Sequence, residues 1–306
     1  MIANQFALIR RELWEHRSIY LTPAVVALVM TLLILTSYVA ASGFEGALDL
    51  AIVGASNVGD AERRAALMAF LGGLTVVFLI AMAILIVFYT LDALYAERKD
   101  KSILFWRSLP ITDAETVISK LLTALLVIPL ITFAVIAATH LVNLSLTSLF
   151  VRFQGGSPGH LIWGAAPIFD VWATLLIVLI AGSIWASPII GWFLFVSAWT
   201  KRSPLLMAFL PLIVLPILEY IVFRTTYLQH AISARTNFAH MPLFSGINME
   251  QILNENRFEH AVENIHLLGT IDLVKFVSSP GVWLGIAVCA LLTTAAIYVR
   301  RYRDES

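Results

Sequence analysis

Apolar residues along this chain fall into six long runs, near 19–41, 67–91, 116–142, 171–199, 204–223 and 281–299, separated by polar stretches. Each reaches the ~20 residues that a helix rising about 1.5 Å per residue needs to cross a hydrocarbon layer of about 30 Å. The pattern predicts an all-α integral membrane protein with six transmembrane helices. The first run ends in "YVAAS", which looks like a signal-peptide cleavage site. It is too long for a signal, and the preceding "IRRELWEHRS" carries acids as well as bases, so it is read as a retained span.

Local signals fix several span ends. Thr112 with Glu115 forms a capping box that starts the third span just after Pro110. Ser203-Pro204 and Ser279-Pro280 each put a capping residue ahead of proline at the first helical position. After the second span, "LDALYAERKDK" contains no breaker, so the helix is expected to continue as a polar stalk. Ser102, Phe105, Trp106 and Leu109 then share one face, widened by Ile103 and Leu104, and Pro110 ends the helix. Arg98, Lys99, Asp100, Lys101 and Arg107 ring it. Between spans 5 and 6, residues 224–279 form the one sizeable non-membrane piece, in which "MEQILNENRFEHAVENIHLL" reads as one or two amphipathic helices.

Charge distribution supplies the orientation. With both termini inside, the cytoplasmic pieces hold 13 Lys and Arg, against 7 in outside loops that are longer. Cytoplasmic loops keep such residues, so both termini and the 92–112 loop are placed in the cytoplasm. Mean hydropathy is +0.86, only 13% of residues are charged, and 20 bases balance 20 acids, which gives no sign of a nucleic-acid partner. The lone Cys289 excludes an intrachain disulfide and a cysteine metal site.

Chemistry inside the spans is sparse. Ser183, Ser187 and Gly191 make a small-residue stripe, joined by the kink-prone Pro188, that suits close helix packing or, alternatively, a pathway or dimer seam. Glu219, His140 and Asn143 lie near outer span ends, where ionisable or polar groups are costly enough to suggest function. Glu219 also has Arg224 or the headgroups within reach. His230, His240, His260 and His266 match no metal-ligand spacing, so no metal is expected. Asn143-Leu144-Ser145 matches a glycosylation sequon only formally. No Ser, His and acid grouping, nor His and Glu, converges at one depth, so no catalytic residues are assigned.

The loop between spans 2 and 3 fits two roles: a helix lying on headgroups, or a docking knob with an aromatic anchor and a charged rim. Here the chain resembles a family. "LDALYAERKDKSILFWRSLPITDAE" is similar to the cytoplasmic loop of type-2 ABC transporter permeases. "RRELWEHRSIYLTP" resembles their N-terminal connecting helix, here residues 1–18, and "SPGVWLGIAVCALLTTAAIYVRRYRDES" their closing span and basic tail. The resemblance covers the chain as one permease domain, residues 1–306. It implies a subunit that dimerises and is driven by a separate ABC ATPase carrying ATP and Mg, in a bacterial inner membrane and in the export direction.

In that family the loop forms a coupling helix seated in the ATPase. By resemblance that role falls to Glu97 through Leu109: Phe105, Trp106 and Arg107 as the contact, Arg98 and Asp100 as its rim, with Glu97, Ser102 and Leu109 completing the segment. No Gly-Lys-Ser or Gly-Lys-Thr phosphate loop occurs, since Gly72-Gly73 leads into "LT" and Gly155-Gly156 into "SP". This chain is thus expected to bind no cofactor and to leave ATP hydrolysis to a partner. A polytopic scaffold that recruits an ATPase without moving solute is the alternative, and an intramembrane hydrolase is a third reading.

Overall fold

The computed structural model describes residues 2–42, 54, 57–102, 110–244 and 267–302. Among these, six helices are long and apolar enough to cross a membrane: Ser18–Ala40, Asp60–Lys99, Asp113–Phe153, Ile168–Trp199, Pro204–Phe223 and Pro280–Tyr302. These are spans 1 to 6, and they contain the six apolar runs almost residue for residue. The chain is an integral membrane protein with no sheet among the described residues beyond one antiparallel bridge, Phe244 to Ile271.

A separate amphipathic helix, Ile2–Glu15, precedes span 1, with Leu8 buried and Phe6 and Trp14 exposed. Side-chain contacts join it to the end of span 2 and the start of span 3, and Arg300 of span 6 reaches the same Glu97. We call this the near end of the bundle.

The spans differ in length. Spans 2 and 3 have 40 and 41 residues, against 20 and 23 in spans 5 and 6. At about 1.5 Å per residue the longer pair measures about 60 Å, twice the hydrocarbon thickness. The surplus of span 2 includes the near-end stalk. At the far end, span 6 begins level with Trp185, well along span 4, because Arg235 donates to the carbonyls of both Trp185 and Gly281. Short helices Tyr227–Thr236 and Leu273–Ser278 fill the space beside it, and Met241, Leu243 and Phe276 pack on Trp185 and Val282. The helical reading of 249–268 falls almost wholly outside the described residues, as do His260 and His266.

Span 4 is the axis, buried at intervals along its whole length. Gly191 lets span 6 approach, since a Cβ there would stand 3.2 Å from the Cα of Cys289. Ser183 and Ser187, on the same face, are buried as well. Pro188 sits inside one continuous helix. In span 3 a π-helical turn, Thr123–Val127, precedes Pro129. Proline lacks the N–H for an i−4 bond and its ring crowds that carbonyl, so the wider turn absorbs the misfit.

The predicted capping box is present: Thr112 Oγ1 accepts from Glu115 N at 3.1 Å and Thr112 N donates to the Glu115 carboxylate at 3.0 Å. Pro204 occupies the first turn of span 5, but Ser203 makes no side-chain capping bond, so proline geometry alone sets that start.

The stalk departs from expectation. The helix is interrupted at Leu94, resumes over Tyr95–Lys99, and ends before Lys101, which has a left-handed φ of 56°. The sequence shows no breaker at Leu94 because the interruption comes from another helix, whose Ser197 hydroxyl enters the backbone ladder.

Overpacking the seam between spans 4 and 6 tests this arrangement. Gly191→Leu should destabilise by about 1–3 kcal/mol, seen as a lower unfolding temperature in detergent. Gly73→Ala, whose new methyl meets nothing within 4 Å, should not lower it.

Candidate functional site

The near end encloses a network of charges. Glu97 of the stalk is 5% exposed. Its carboxylate accepts from Arg11 at 2.8 Å, Lys120 at 3.1 Å and Arg300 at 2.5 Å. Lys120, fully buried, also donates to Glu12 at 2.8 Å, and Glu12 accepts the Tyr89 hydroxyl at 2.9 Å. Arg300 continues to Asp113 at 2.9 Å, and Arg11 to Glu15 at 2.8 Å. Burial lowers the Arg11 pKa, but the Glu15 hydrogen bond and the charges of Glu97, Glu15 and Glu12 outweigh it, so the net shift is upward.

Burying ions away from water is costly unless they are paired and hydrogen-bonded, and here each cation meets two carboxylates. Glu12, Glu15 and Glu97 come within 4.8 Å of one another, but Arg11 and Lys120 already reach into the group. The arrangement is a charged junction that joins the N-terminal helix, the stalk, the start of span 3 and the end of span 6.

Beside it, Arg98 reaches from the stalk to the carbonyls of Ser197 and Thr200 at the end of span 4. A cation there satisfies acceptors that a helix C-terminus leaves unpaired. Arg98 is therefore attached to span 4, whereas Asp100 is exposed. Ser102 donates to the Glu97 carbonyl at 3.3 Å. Phe105, Trp106, Arg107 and Leu109 lie outside the described residues.

Glu219, His140 and Asn143 each have hydrogen-bond partners inside the chain. Glu219 accepts from Thr225 Oγ1 at 2.8 Å and from the backbone N–H groups of Tyr227 and Leu228 at 2.9 and 2.8 Å, so it caps the helix that follows span 5. His140 is buried and accepts from the Trp172 indole at 3.3 Å. An indole N–H only donates, so His140 Nδ1 carries no proton and Nε2 donates to Thr75 at 3.3 Å. Asn143, also buried, donates to Thr139 O and to Thr31 of span 1. His140 and Asn143 thus tie span 3 to spans 1, 2 and 4. Gly191 packs on Cys289 inside the same chain, with Ser183, Ser187 and Pro188 in the same helix.

A cavity of about 590 Å³ opens between spans 1, 2 and 5, walled by Ile84, Phe88 and Leu205, with His16, Asp92 and Tyr95 at its near-end mouth.

Glu12, Lys120, Ser197 and Arg300 were not singled out by sequence reasoning. Lys120 carried a signal, because it lies within the apolar run 116–142, where a charge demands a partner. Ser197 carried none, since serine is an ordinary residue in a span.

Six spans with a buried charged junction at one end define the class, a polytopic membrane protein. Residues 65–253 match the family described as ABC-2 family transporter protein, and the chain belongs to that family. It is accordingly the membrane component of an ABC transporter. No curated protein and no solved structure matches it.

The basic tail is not uniform: Arg300 is buried in the junction and Arg301 is exposed. Arg300→Ala, which removes one of the three cations on Glu97 and the arginine on Asp113, should cost about 1–3 kcal/mol, the usual penalty for leaving a buried polar group short of a partner. Arg301→Ala should be close to neutral. Thermal unfolding of both variants in detergent checks the contrast.

Proposed function

We propose that this chain is the permease subunit of an ATP-driven exporter, working as a homodimer with a separate ABC ATPase, with both termini in the cytoplasm of a bacterial inner membrane. The observation that carries the reading is the buried bonding of Glu97 to Arg11, Lys120 and Arg300. Through it, a push on the 97–109 loop reaches the N-terminal helix and spans 2, 3 and 6 together. Phe105, Trp106 and Arg107 serve as the seat in the ATPase, with Asp100 on the rim. Arg98 acts as the anchor on the membrane side. ATP and Mg belong to the partner.

The cleft between spans 1, 2 and 5 supports a route for a solute with a substantial apolar body. Its wall is mainly apolar and its polar groups cluster at the mouth, so an amphipath entering from the near-end leaflet would keep its head in water. Outward direction rests on the family resemblance.

Gentle extraction of the tagged chain from its native membrane tests the assembly. A stoichiometric chain bearing a phosphate loop should co-purify with wild type and be lost with Trp106→Ala, since truncating a central aromatic anchor removes about 2 kcal/mol or more of contact energy. Glu97→Gln should retain the partner at reduced monomer stability but lose substrate stimulation of its ATPase. Recovery of the chain alone in every case would sink the proposal.

A further inference from the structure

The interruption at Leu94 is built from two helices. Span 2 proper ends at Ala93 and the stalk helix begins at Tyr95. The fully buried hydroxyl of Ser197, from the last turn of span 4, sits in the gap. It accepts from the N–H groups of Leu94 and Tyr95, each at 3.0 Å, and donates to the carbonyl of Leu91 at 2.8 Å. That uses its one donor and both lone pairs. In an unbroken helix the same two amides would bond to the carbonyls of Thr90 and Leu91, four residues back. Ser197 thus substitutes for backbone partners that span 2 could supply itself.

Two features make this a joint. Leu94 has φ −101° and ψ −24°, still in the right-handed region, so a modest torsional change would close the helix. One turn further on, Arg98 grips the carbonyls of Ser197 and Thr200, which holds the stalk to span 4 from the other side of the break. Span 4 in turn packs on span 6 at Gly191 and Cys289.

We propose that Ser197 is a positioning residue for coupling: it splices the stalk onto span 4 and gives the stalk two states, spliced to Ser197 or continuous with span 2. Displacement of the stalk then acts directly on span 4, which is not among the spans reached through Glu97, and through Gly191 on span 6 by a second route. The coupling role rests on the permease reading above; the joint itself rests on the local geometry alone.

The test uses the full chain with spin labels at Lys99→Cys and Lys201→Cys, both exposed positions, in a Cys289→Ala background, read by pulsed electron resonance. With Ser197 intact, one narrow distance is expected. Ser197→Ala should add a second, longer component, Arg98→Gln should do the same from the stalk side, and Ser197→Thr, which keeps the hydroxyl, should restore the narrow distribution. A distribution unchanged in both Ser197→Ala and Arg98→Gln, or one equally broad in Ser197→Thr, overturns the joint.

With the co-purified ATPase, nucleotide should shift the distance in the Ser197-intact complex, and Ser197→Ala should reduce that shift at least threefold while assembly yield is unchanged. An equal shift in both overturns the coupling role. Failure of the Ser197-intact chain to assemble with any ATPase would overturn the permease reading and the coupling role with it, while the monomer distances would still decide the joint.

Discussion

Four charged elements of this protein are held in place by one condition: Glu97 and Lys120 are taken out of water and must stay paired. The pairing cannot be local. Glu97 lies 86 residues from Arg11 and 203 from Arg300, and Lys120 lies 108 from Glu12. Apolar packing between spans is forgiving, because lipid tails are nearly as good a neighbour as leucine. A buried charge has no such substitute, so this network sets which helix ends meet. The near-end apolar cluster of Ile19, Tyr89, Leu94, Val117 and Ala296 packs where those same helices converge.

The polar groups of the bundle divide into those that lock and those that allow movement. Glu219 capping the helix after span 5, and His140 between Trp172 and Thr75, are closed arrangements in which the local donors and acceptors are matched. Ser197 is different, because the backbone groups it serves have a second set of partners within their own helix. The stalk is therefore rigidly paired at Glu97 and exchangeably paired at Leu94, within a single turn of chain.

Much of this architecture was legible in the sequence because it follows from rules that act over a few residues. The six spans follow from runs of about twenty apolar residues, and the start of span 3 follows from Thr112 and Glu115. The match of residues 65–253 to the ABC-2 family supports the resemblance read from the stretch around Glu97. What stayed hidden depends on partners that only the fold brings together. Counting Lys120 and Arg300 as cytoplasmic charge describes a total and says nothing of their pairing. Glu219 has the composition of a functional intramembrane acid, and only the fold shows that Tyr227 and Leu228 turn back onto it. The break at Leu94 belongs to span 4, so no reading of span 2 could have located it.

The late position of Arg300 has a consequence for how the chain is made. Residues Glu12, Glu97 and Lys120 leave the ribosome long before Arg300 does, and each can enter its span or stalk on its own schedule. During that interval Glu97 has at most two of its three cations, and Asp113 lacks its arginine. The near end closes fully only once span 6 has inserted and Arg300 has docked. A chain stopped before residue 300 would therefore hold Asp113 without its arginine and Glu97 one cation short.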